Sequence, residues 1–181
     1  MTSLRRALLV GTAVMLVCLT QAGIVAANSV VGTATGGGKY LLGGTESTKF
    51  SLSAVLRTDG SAAGKFHHSL VSEGFLYEFY GDVTCVSFDP VEHRAWIGGV
   101  ITRNNSTDPS FQAARNQVGR DIWFRVVDYG EGADAPDDRT TFVGFEGDAG
   151  IITSAEYCLA QLWAEGDART WPVTEGNIQV D

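Results

Sequence analysis

Cysteine, proline and lysine are all scarce in this chain, at three, four and three of 181 residues. Three cysteines are too few for a knottin-like disulfide scaffold. Few prolines combined with 44% hydrophobic residues exclude a disordered chain. Positive charge is also in short supply, 13 Lys and Arg against 21 Asp and Glu. The formal net charge is −8, so the chain lacks the basic surface that nucleic acid demands. No run is long and apolar enough to cross a bilayer comfortably, which takes about 20 residues.

The N-terminus reads as an export signal. Arg5 and Arg6 form a positive start, residues 7 to 19 are mainly apolar, and Val25, Ala26 and Ala27 offer small residues for cleavage. Val17 before Cys18 argues against a lipoprotein, and the Arg5–Arg6 pair lacks the rest of a twin-arginine signal. Residues 1 to 27 are therefore expected to be a signal peptide, 28 to 39 a glycine-rich flexible lead-in, and 40 to 181 a single β domain. Without the leader the chain has 154 residues and a net charge of −10, all of it after residue 120. The expected location is secreted or periplasmic. In such an oxidising compartment the remaining pair, Cys85 and Cys158, is expected to form a disulfide. Closing about 70 residues, it stabilises the fold by roughly 4 kcal/mol on the chain-entropy model.

Period-2 alternation dominates the rest. Phe50, Leu52, Ala54 and Leu56 alternate with Lys49, Ser51, Ser53 and Arg57, and a turn-rich stretch follows before Phe66, His68 and Leu70 resume the pattern. Residues 49 to 71 thus form an expected hairpin. Further strands are expected at 75 to 80, 82 to 88, 94 to 102, 120 to 128, 140 to 146, 154 to 162 and within 171 to 180. One short helix is expected after Asp108 and Pro109, ended by Gly119. The resulting class is all-β, an antiparallel barrel or sandwich of about eight to nine strands.

Chemistry-bearing motifs are sparse. There is no Gly-x-Ser-x-Gly elbow and no phosphate-cradling loop. Five carboxylates occur between residues 128 and 138, and Asp128, Glu131, Asp134 and Asp137 are the candidate calcium ligands. The spacing is not that of an EF-hand, and a solvated loop is the competing reading. His67 and His68 are adjacent on a strand and must point to opposite faces, so only His68 shares the apolar face. His68 with Glu78 is the candidate acid/base pair. Tyr77, Tyr80, Trp163 and Trp171 are the candidate ligand-stacking rings, whereas Trp96 and Trp123 sit in two-sided apolar runs and read as core.

Three stretches carry a resemblance: Asp82-Val83-Thr84-Cys85-Val86-Ser87, Arg94-Ala95-Trp96-Ile97-Gly98-Gly99-Val100-Ile101-Thr102, and residues 124 to 138 with Val127-Asp128-Tyr129-Gly130-Glu131-Gly132. Over residues 33 to 160 the chain resembles a group of small secreted bacterial β-domain proteins of unassigned function. The resemblance implies recurring Thr84-Cys85 and Tyr157-Cys158 pairs and a β fold, and it carries no activity.

The expected function is that of an exported, non-catalytic β-domain binding a small apolar ligand or a surface polymer such as polysaccharide. Two alternatives are a barrel-type isomerase or cyclase using a cavity histidine and carboxylate, and a calcium-stabilised surface-interaction module. Calcium apart, no cofactor is expected, and after signal cleavage no membrane span.

Overall fold

The computed structural model describes residues 28–132 and 134–181; the expected signal peptide lies outside the described residues. The alternating pattern produces long antiparallel strands: β1 (Val30–Leu42), β2 (Glu46–Arg57), β3 (Ala62–Ser72), β4 (Phe75–Asp89), β5 (Arg94–Asn104) and β6 (Asp121–Val127). Two short strands follow, β7 (Arg139–Thr140) and β8 (Gly144–Phe145), then one helix, α1 (Ser154–Ala160), and a last strand, β9 (Trp171–Val180).

Neighbours in sequence are neighbours in the sheet from β1 to β6. The β5–β6 pairing, with β6–β7, β7–β9 and β9–β1, closes the sheet into an antiparallel ring, while β8 pairs with β6. The inward residues fill its interior. Phe50, Leu52, Phe66, Phe79, Ile97, Ile101, Ile122, Phe124, Val126 and Ile178 form one buried cluster. Burying one such side chain stabilises the fold by roughly 1.5–3 kcal/mol.

Three expectations are corrected. Residues 30 to 39 are not a lead-in but most of β1, because Gly36, Gly37 and Gly38 pair with β2 on one side and β9 on the other. A Cβ on Gly38 would overlap the Glu175 carbonyl, so glycine is what lets these backbones meet. The helix expected before Gly119 is instead two 3-10 turns, Pro109–Gln112 and Ala114–Asn116, because the seven-residue spread of apolar positions supports no continuous buried stripe. Residues 154 to 160, expected as a strand, are the helix α1. Thr153 and Glu156 form a reciprocal capping box there, and Asp121 Oδ1 accepts hydrogen bonds from the Ser154 amide and hydroxyl.

Helix α1 lies on the outer face of β5. Gly98 makes room, since a Cβ there would stand 2.6 Å from Cys85 Sγ and 2.7 Å from Ser154 Cβ. Cys85 and Cys158 are at disulfide distance, with sulfurs 2.11 Å and Cα atoms 6.2 Å apart, tying α1 to β4. Beneath the helix a second cluster forms from Trp96, Trp123, Ile151 and Tyr157, joined by Leu162 and Trp163. The β5 and β6 strands therefore carry apolar residues on both faces, one set for each cluster.

The two ends of the ring differ. At one end the 105–120 connection lays Phe111 against Tyr77, Phe79 and Phe145, with ring centroids 4.9 to 5.8 Å apart. At the other end, where β4 turns into β5 and β9 finishes, an apolar cavity remains open. Among the described residues no helix is long and apolar enough to cross a membrane.

Candidate functional site

The expected acid/base pair is not brought together. His68 is fully buried in the ring, edge-on to Phe124 at 4.7 Å, and neither ring nitrogen has a hydrogen-bond partner. Burial, helped by the neighbouring His67, pushes its pKa down to about 3, so it is a neutral imidazole in an apolar core. Glu78 lies on the outer face and pairs with His67 instead, at 3.1 Å. Burial alone raises the Glu78 pKa, but hydrogen bonds from Asn105, His67 and Tyr80 outweigh it and hold the carboxyl below its usual range. Histidines adjacent on a strand point to opposite faces, as the pattern required, and the carboxylate chose the outward one.

The four candidate calcium ligands are not aimed at one point either. Among the described residues no group of three or more His, Cys, Asp or Glu side chains is placed to hold a metal ion. Asp128 instead accepts from the Gly130 and Val180 amides, and Glu131 accepts from Asn177. Asp134 and Asp137 are exposed. The fifth acid of the loop, Asp138, is the buried one, accepting from the Tyr129 and Ile178 amides, and its pKa is raised by burial against those bonds. The loop is thus stapled to β9 by its own carboxylates.

The candidate stacking rings separate into three places. Tyr80 lies on the outer face, with His67 stacked at 4.2 Å and the Arg103 guanidinium 3.6 Å from its ring centroid. Tyr77 sits under Phe111 at the capped end and donates its hydroxyl to Asp108. Trp163 and Trp171 meet in one cavity of about 370 Å³, together with Trp123, Tyr157, Phe142 and Arg169. Trp123 and Tyr157 stack at 5.6 Å to form its floor, and Arg169 lies 4.6 Å over the Trp163 ring. Asp148 and Thr141 add polar groups to the wall.

The segment that carries Trp163 is held from below. Arg94 and Arg125, on the outer faces of β5 and β6, are almost completely buried, with Asp167 acting on Arg125 through space. Arg125 donates to the carbonyls of Leu162, Trp163 and Ala168, and Arg94 to those of Trp163 and Gly166. Trp96 Nε1 donates to Leu162 at 2.9 Å. Burial pulls the Arg125 pKa down, opposed by Tyr157, Asp167 and Tyr129, while the carbonyls satisfy its N–H donors.

Backbone strain collects at this cavity. Among the described residues six non-glycine positions have left-handed φ, and Ala149, Trp163 and Arg169 among them line it, at +55°, +55° and +59°. Gln161, also left-handed, ends α1 just before Trp163. Such conformations cost about 1–3 kcal/mol each and gather where geometry serves a site. The Trp123 Nε1 edge packs against Gly144 at the cavity wall. Trp123 is core, as its two-sided apolar run required, and Tyr157 is buried beside it; the fold packs Trp163 against both. No protein-family model, curated protein or solved structure matches the chain.

Proposed function

We propose that this chain is an exported, non-catalytic binding domain that takes a sugar ring of a surface polysaccharide in the aromatic cavity of Trp123, Tyr157, Trp163 and Trp171. The observation that carries this reading is that Trp123, Tyr157, Trp163 and Trp171 line one space of about 370 Å³. Flat rings match the apolar faces of a pyranose, and N–H and O–H groups match its ring and hydroxyl oxygens. The volume falls within the range of small-ligand sites, roughly 300–1,000 Å³. Strain in the segment bearing Trp163 and Arg169 supports pre-organisation, which lowers the entropic cost of binding. Export fits the leader-like N-terminus and the Cys85–Cys158 pair.

The test is a titration of the purified protein with a panel of soluble neutral and acidic polysaccharides, read by tryptophan fluorescence. At least one should quench or shift emission saturably, and Trp163→Ala should weaken that response about tenfold, the scale of about 1.4 kcal/mol. A panel without saturable binding, or binding that Trp163→Ala and Trp171→Ala leave intact, removes the reading.

A further inference from the structure

The open end of the ring holds a second cavity, larger and differently lined. Its volume is about 660 Å³, and Val31, Leu56, Val86, Phe88, Pro90 and Val180 contribute its apolar wall. Phe88 lies across the mouth against Gly32, where a Cβ would come within 2.9 Å of the Phe88 ring. Val31 and, beyond the rim, Val91 are exposed aliphatic side chains at 59% and 81%. The opposite end of the same ring is covered by Phe111, so this apolar surface is not the ordinary state of a strand end in the molecule.

A chamber of about 330 Å³ with a mixed polar and apolar lining adjoins the apolar one through His93, Val180 and Asp181. Glu92, Asp128, Tyr129 and Asp181 line it, Asp128 with its oxygens also accepting from the Gly130 and Val180 amides, and among the described residues neither lining contains a lysine or arginine. His93 holds a left-handed φ of +45° and its Nδ1 donates to the Val180 carbonyl at 3.3 Å.

An apolar room that opens onto carboxylates selects a molecule with an apolar body and a positive head. We infer that this end of the ring binds a small amphiphilic amine, its hydrocarbon portion against Leu56, Val86 and Phe88 and its ammonium among Glu92, Asp128 and Asp181. This site is separate from the aromatic cavity and stands whether or not polysaccharide binds there. Apolar burial supplies affinity, and the charge arrangement supplies the choice of head group.

Calorimetric titration of the purified protein with dodecylamine below its micellar concentration, against dodecanoate as the same chain with the opposite head, tests this directly. Dodecylamine should bind saturably with one molecule per chain and at least tenfold more tightly than dodecanoate. The double variant Glu92→Gln, Asp181→Asn should erase that preference. Leu56→Trp, which fills the apolar room, should abolish binding, and Val31→Lys, at an exposed position that folding tolerates, should weaken it at least tenfold. Trp163→Ala should leave it unchanged, which separates this site from the aromatic one. Equal binding of the two head groups, binding that ignores Val31→Lys, or self-association that buries the mouth in place of any ligand would overturn the inference.

Discussion

The His68 imidazole meets the Phe124 ring edge-on at 4.7 Å and has no polar partner for either nitrogen. Protonating it in place puts an unpaired charge into the core. Its folded pKa of about 3 lies below the ordinary 6.5, so the unfolded chain binds the proton more readily between those values. Stability therefore falls as pH drops from about 6.5 towards 3, by up to about 5 kcal/mol from this residue alone. Urea unfolding of the wild type and of His68→Leu across that window should show a steeper acid loss in the wild type. Parallel pH curves for the two proteins contradict the assignment.

The Cys85–Cys158 connection joins β4 to a helix of only seven residues, a length that does not persist alone in water. Its 73-residue sequence separation makes the chain-entropy contribution about 4 kcal/mol. Cys85→Ser with Cys158→Ser should lower the unfolding free energy by about 2–5 kcal/mol and loosen α1, seen as faster amide exchange in residues 154 to 160. An unchanged urea midpoint for the double variant or for the reduced wild type refutes this contribution.

Long strands were legible because their alternation is local: Phe50, Leu52, Ala54 and Phe66, His68, Leu70 all face inward as their spacing required. β1 was not, because Gly36, Gly37 and Gly38 carry no side chain to alternate and gain meaning only from β9, more than 130 residues later. The helix was missed although its signal was present: Thr153 and Glu156 spell a capping box, while the apolar content of 154 to 162 mimics a strand. For the site, Trp163 and Trp171 were legible as aromatics in a polar stretch. Trp123 was legible as core, but its place beside Trp163 was not, since burial on the outer face of a ring and burial inside it leave the same mark on a sequence. Arg94 and Arg125 gave no signal at all, because their partners are backbone carbonyls, which every residue has.

Arg125 reaches carbonyls at both ends of the segment from Leu162 to Ala168. Trp96 and Arg94 still serve Leu162 and Trp163 if Arg125 is lost, but Ala168 has no other donor among the described hydrogen bonds. Arg125→Met should cost about 2–4 kcal/mol, combining an orphaned carbonyl with lost packing of the guanidinium. Arg125→Lys should recover part of this, because one ammonium cannot span both ends. Hydrogen exchange should accelerate in residues 161 to 170 in both variants and little in β2 and β3. Uniform acceleration across the protein contradicts a local grip.

Gly144 fixes the position of the cavity floor. It pairs with Trp123 across β6 and β8, and a Cβ at this position would overlap the indole Nε1 and come within 3.0 Å of Cδ1. Gly144→Ala must therefore push the Trp123 ring, which in turn stacks on Tyr157. Overpacking of this kind costs about 1–3 kcal/mol. The near-ultraviolet circular dichroism of the Trp123–Tyr157 stack should change, and any polysaccharide affinity that depends on the aromatic cavity should fall about tenfold. Dodecylamine binding at the open end should not, since Gly144 lines only the aromatic cavity of the two. A variant that keeps both the spectrum and the polysaccharide affinity of the wild type shows that the floor tolerates displacement and that Trp123 takes no part in recognition.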